Sequence, residues 1–192
     1  MNTIRTNKVS EFEALIEELR KQLLDACISL DIWEQLFPTK QAVDVINRYK
    51  GFFLPTINAH IDRFHIKVSN VISNDRRLPS FYKVLSILDN NPALAPGVNI
   101  RALRKRLRQH KGVLSAIEDY RNKRAAHWDT QAELQPGQVL LGNSKQMLEE
   151  LQNIFNEISQ AHSRNLWSFR PIQHDDTKRV LDALKKQRLP SQ

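Results

Sequence analysis

The chain has 192 residues, 41% of them apolar and 26% charged, with 29 Lys and Arg against 21 Asp and Glu for a net charge of +8. That balance suits one domain with a sizeable core and excludes a disordered polyelectrolyte. No apolar run is longer than Phe52-Phe53-Leu54, far short of the roughly 20 residues of a membrane span. The single cysteine, Cys27, excludes an internal disulfide and a Cys-rich metal site, and the five glycines form neither a P-loop nor a dinucleotide fingerprint. The charged opening, MNTIRTNKVSEFEAL, lacks the apolar stretch of a secretory signal. A reducing cytoplasm is the expected location.

In chain order, Ser10 and Glu13 have capping-box spacing and open a first predicted helix. Leu15, Ile16, Leu19, Leu23 and Leu30 recur in it at helical intervals, with Cys27 on the core side. Pro38 breaks the chain, Thr39 is the candidate cap of the next helix, and Pro55 is expected to kink or end that helix near Leu54. Residues 56–73 read as helix. His60 and His65 fall in this stretch, five apart, a spacing that does not stack two metal ligands on one face. After a polar break at 74–79, Ser80 opens a short helix to Leu88, and 90–97 (NNPALAPG) is the clearest loop.

Asn99 is expected to cap a long helix with an apolar stripe at Ile100, Leu103, Leu107, Leu114 and Ile117, running to about His127. Gly112 marks a possible bend in it. Residues 128–143 read as irregular, with Val139-Leu140-Leu141 as a docking contact or short strand. Ser144 is taken as the cap of a helix to about Trp167, ended by Arg170-Pro171, and Asp175 or Asp176 as the cap of a last helix carrying Val180, Leu181 and Leu184. A frayed tail follows, about 188–192. Alternating strand patterns and repeats are absent. The fold class is therefore all-α: a bundle of five to seven helices in a single domain, 1–192.

The charge is not spread evenly. Residues 1–99 carry 12 basic and 11 acidic side chains, and 128–192 carry 8 of each. Residues 100–127 carry nine basic (Arg101, Arg104, Lys105, Arg106, Arg108, Lys111, Arg121, Lys123, Arg124) against Glu118 and Asp119. A charge run of this kind is either a solvated helix face or a surface for a polyanion, and nucleic acid is the expected polyanion. An anionic membrane is disfavoured, because the segment offers no Trp or Phe to insert. A DNA-binding regulator is a weaker reading, because no compact helix-turn-helix is visible.

The basic helix ends in Asp119-Tyr120-Arg121-Asn122-Lys123-Arg124-Ala125-Ala126-His127-Trp128-Asp129. Arg121-Asn122 followed by His127 resembles the R-x(4–6)-H motif of HEPN domains, and the phrase RNKRAAHWD after a Tyr is most similar to the AbiU-type abortive-infection branch. The resemblance implies a HEPN-like helical bundle and a metal-independent endoribonuclease with no cofactor. It implies a homodimer whose motifs meet across the two-fold, and a toxin in a phage-defence or toxin–antitoxin system with a possible antitoxin partner. Some relatives carry a Tyr two residues after the His, modified by a nucleotidyltransferase partner. Asp129 stands there in this chain, which argues against that partnership. Other relatives have lost catalysis and bind RNA or a protein, which is the alternative reading.

The chemistry fits the residue types. RNA is cut without metal when its own 2′-OH attacks the adjacent phosphate. That needs a base, an acid and a cation for the developing charge. His127 is assigned as general acid/base, Arg121 as phosphate clamp, and Asn122 as the group that orients His127 or a phosphate. Arg124, Lys123, Arg108, Arg104 and Lys111 are the expected RNA-binding cations. On an ideal helix positions 121 and 127 are about 9 Å apart and roughly 120° out of register. Arg124, three residues from His127, is the geometric rival for the clamp. Two chains meeting at a two-fold would supply two His and two Arg. Against these roles, His127 could simply be a His favoured at a helix C-terminus. Arg121 could be paired with Glu118 and Asp119 with Lys123. Tyr120 and Trp128 could stack on bases or pack in a core.

Overall fold

The computed structural model describes residues 2–36, 40–126, 141–171 and 174–187, with side chains except at 2–7, 40–41, 118, 121–126 and 141. Among the described residues the protein is all-α, a helical bundle without strands. The helices are α1 (Asn2–Leu36), α2 (Lys40–Arg48), α3 (Lys50–Val71), α4 (Phe81–Asn90), α5 (Ile100–Gln109), α6 (Lys111–Ala126), α7 (Leu141–Ser163) and α8 (Asp176–Lys186), with a 3-10 turn at Pro92–Leu94. Among the described residues there is one helix more than the upper expectation of seven, because the basic helix is two helices.

The core is built around α1, which packs along α3 and also meets α7, α4 and α8. Phe12, Leu19 and Leu23 of α1, Phe64 of α3, Phe81 of α4, Leu103 and Leu107 of α5, Ile117 of α6 and Phe155 of α7 share one apolar cluster. A smaller cluster joins Leu36, Ala42, Val45, Ile46, Phe53 and Leu181, where α2 and α8 close the end of α1. Cys27 is buried as expected. Its Sγ accepts a hydrogen bond from Gln152 Nε2 at 3.1 Å, and burial pushes the thiol up to about 12, so it is an inert core group.

Several element ends depart from the sequence reading. Ser10 and Glu13 lie inside α1, which already runs from Asn2, so they cap nothing. Pro55 does not end a helix. The break falls at Tyr49, and Pro55 sits in the second turn of α3 while the Thr56 hydroxyl donates to the Phe52 carbonyl at 2.8 Å. Thr39 lies outside the described residues. Ser80 and Asn99 cap as expected, accepting from the Lys83 and Ala102 amides at 3.3 and 3.0 Å. In the loop between them Gly97 has φ +83, where a Cβ is strained although nothing crowds it. Gly97→Ala should therefore cost about 1 kcal/mol in urea unfolding.

The basic helix breaks at His110, two residues before Gly112. Ser144 is buried inside α7, whose start lies at Leu141. Residues 128–140, including Val139 and Leu140, lie outside the described residues. α7 ends at Ser163 rather than near Trp167, because Arg164 takes a left-handed conformation (φ 59). The chain then folds back along α7. The Trp167 amide and carbonyl pair with the Asn156 side chain at 2.9 and 3.0 Å, its indole N–H donates to Ser159 at 3.1 Å, and Phe169 buries against Phe155. Asp175 holds the cap position of α8 without a side-chain bond. Gln35 of α1 supplies that cap, its Oε1 accepting from the Lys178 amide at 3.0 Å. The expected tail at 188–192 lies outside the described residues.

Candidate RNA-cleavage site on the basic helices

α5 divides its cations between two uses. Leu103 and Leu107 are fully buried, which turns Arg101, Lys105 and Arg108, at spacings of four and three, to the exposed face. Arg106 faces α7 instead. It donates from Nε to Glu150 at 2.5 Å and from Nη1 to Glu157 at 2.7 Å, and these bonds hold its pKa above the usual guanidinium value. Arg104 pairs with Asp89 of α4. Lys111, first in α6, is exposed. The sequence count of nine cations thus overstates the open positive surface. The structure assigns Arg106 to the α5–α7 seam, and Arg101 and Lys105 join Arg108 outside.

α6 runs from this basic end towards the motif. Leu114 and Ile117 bury against the core, and Tyr120 follows Ile117 on the same side. The Tyr120 hydroxyl donates to Asp62 Oδ1 of α3 at 3.0 Å. Its ring lies on His65, also of α3, with centroids 4.3 Å apart. Of the alternatives for Tyr120, the structure shows the packed one. His65 is 2% exposed, and neither ring nitrogen has a hydrogen-bond partner among the described residues. Burial pushes its pKa down to about 4; the Ile61 carbonyl one turn back works against that shift, without the geometry of a full hydrogen bond. His60 is also held low, by burial and then by Arg63.

Arg121, Asn122, Lys123 and Arg124 occupy the last turns of α6, which stays helical through Ala126. Positions 121 and 124 are about 4.5 Å apart along the axis and about 60° apart around it. His127, Trp128 and Asp129 lie outside the described residues. Sequence reasoning considered His65 only as a metal ligand and did not reach Asp62. Both stand more than 50 residues before Tyr120, so no local pattern joins them. No cluster of three or more His, Cys, Asp or Glu suited to a metal occurs among the described residues.

The family model for AbiU2, a HEPN type, matches residues 10–182, nearly the whole chain and all of the motif. The chain belongs to the AbiU2 family. It is thus a HEPN domain related to abortive infection, and the AbiU2 match spans the whole of α6. No curated protein and no solved structure matches this AbiU2 chain. No described helix is long and apolar enough to cross a membrane.

Proposed function

We propose that this AbiU2 chain is a metal-independent endoribonuclease, acting as a homodimer in the cytoplasm as the toxin of a bacterial phage-defence or toxin–antitoxin system. The whole chain is one domain in this reading. The observation that carries it is Arg121-Asn122 in the last turns of α6, with His127 six residues after Arg121 in the sequence, within a chain whose family match spans that helix. His127 moves the protons, Arg121 or Arg124 neutralises the charge that builds on the phosphorane, and Asn122 orients His127 or a phosphate. A single His per chain cannot readily serve as both base and acid in one pass. A second protomer supplies the other, so the site is complete only in the dimer.

RNA approaches over α5. Arg101, Lys105 and Arg108 form an exposed stripe about 10 Å long that carries the strand by its phosphates, with exposed Lys111 next to it and Arg104 shared with Asp89; Lys123 and Arg124 are the proposed cations beside the motif in the sequence. The direct test is incubation of the purified protein with total and structured RNA in EDTA. Cleavage that leaves 2′,3′-cyclic phosphate ends supports the reading, and intact RNA removes it.

The stripe has its own test on a 2′-O-methyl RNA, which binds but has no 2′-OH to attack. Neutralising Arg101, Lys105 and Arg108 together with Gln should reduce the slope of log affinity against log salt by about 2, at roughly 0.7 per phosphate contact on a single strand. An unchanged slope would mean that α5 is merely solvated.

A further inference from the structure

We propose that Asp62 and Tyr120 form a brace between α3 and α6 that sets the rotation of the motif end of α6, which makes both positioning residues for cleavage. The proposal rests on the ribonuclease reading for its consequence and on the geometry for the brace itself.

The sequence of α6 shows why a brace is needed. After Ile117, the segment from Glu118 to Ala126 contains one large apolar or aromatic side chain, Tyr120; the others are charged, amide or Ala. Tyr120 is therefore the one side chain of that stretch with a ring to anchor it. Apolar contact is also non-directional and tolerates rotation about the helix axis. A hydrogen bond is directional. The Tyr120 hydroxyl reaches Asp62 at 3.0 Å while the ring is stopped by His65 at 4.3 Å. One contact fixes the angle and the other fixes the depth. Tyr120 immediately precedes Arg121, so the constraint acts one residue from the motif.

The other end of the brace is firm. Asp62 lies on a part of α3 that is tied to α1 by Arg63 and Lys67, both on Asp25 at 3.1 and 3.0 Å, and by Phe64 against Trp33. Side-chain heads stand about 5–6 Å from a helix axis, so a rotation of roughly 10° moves them by about 1 Å. Misplacement of that size can cost on the order of 100-fold in rate.

The experiment compares Tyr120→Phe, Asp62→Ala and Asp62→Asn with the wild type on a defined RNA, together with hydrogen exchange of the α6 amides. Tyr120→Phe keeps the ring on His65 and removes only the hydroxyl. It should lower kcat roughly 10- to 100-fold with KM within about twofold. Asp62→Ala should match it, the double variant should be no worse than either single one, and Asp62→Asn, which keeps an acceptor oxygen, should restore most of the rate. Amides 121–126 should exchange faster in Tyr120→Phe while α1 stays protected. If the wild type cleaves and Tyr120→Phe cleaves equally well, the brace is overturned. A rate loss that Asp62→Asn does not rescue, and that follows a general drop in Tm, overturns it as well. A wild type that leaves RNA intact removes the ribonuclease reading alone. Exchange then decides the brace, and unaltered protection of 121–126 overturns it.

Discussion

His127→Ala should abolish RNA cleavage in EDTA, lowering kcat by about 10²–10⁴-fold, the usual worth of a positioned general acid or base. Arg121→Ala should cost about 10²–10³-fold, the worth of one donor to a developing oxyanion. Both variants should keep wild-type Tm and bind 2′-O-methyl RNA nearly as well, because His127 acts on protons and Arg121 acts mainly in the transition state. Arg124→Ala decides between the two candidate clamps. α6 remains helical through Ala126, so positions 121 and 124 keep their helical offset of about 60°. The arginine whose loss lowers kcat is the clamp, and the one whose loss raises KM is a binding cation. If all three variants and the wild type cleave alike, the activity is a contaminant's. If none cleaves and all bind, the chain is the non-catalytic RNA-binding module of the alternative reading.

The motif was legible because it is local: Arg121, Asn122 and His127 lie within seven residues and on one predicted helix. The fold class was legible because apolar residues recur with helical period along almost the whole chain, as at Leu19, Leu23, Leu103, Leu107 and Ile117, all buried. What failed was local punctuation overruled by tertiary packing. Ser10 has the chemistry of a cap, yet Phe12 and Ile16 bury against the core and α1 already runs from Asn2. Asp175 has the chemistry of a cap too, but Gln35 from another helix holds the Lys178 amide. The charge count misled for the same reason. Sequence adds Arg106 to the positive surface, whereas Glu150 and Glu157, more than 40 residues later, neutralise it in space. Asp62 and His65 escaped because nothing near them in the chain points to Tyr120.

His65 gives the second large expectation, a loss of stability in mild acid. Its folded pKa is pushed down to about 4 by burial, against an ordinary 6.5. Between those values the unfolded chain binds a proton that the folded chain refuses, so stability must fall as pH drops from 6.5 towards 4. The slope is at most about 1.4 kcal/mol per pH unit. The rings of Trp33 on α1 and Tyr120 on α6 face the imidazole, and Asp62, one turn before it on α3, is already bonded to Tyr120. A proton on His65 therefore meets aromatic faces and no carboxylate of its own among the described residues. His60, also held low, adds in the same direction. The lowered carboxylate of Asp25 acts only below its ordinary 3.8, beneath this window. In His65→Phe the ring contact with Tyr120 can persist without a group that must charge on unfolding. Urea unfolding at pH 7 and pH 4.5 should show the wild type losing roughly 2 kcal/mol more than His65→Phe across that interval. At pH 7 the variant should be as stable as the wild type or better, since it buries no unpartnered nitrogen. Equal losses for the two proteins would show that the imidazole charges freely in the folded state. The acid-sensitive point of the fold would then lie away from the α3–α6 seam that holds the motif end.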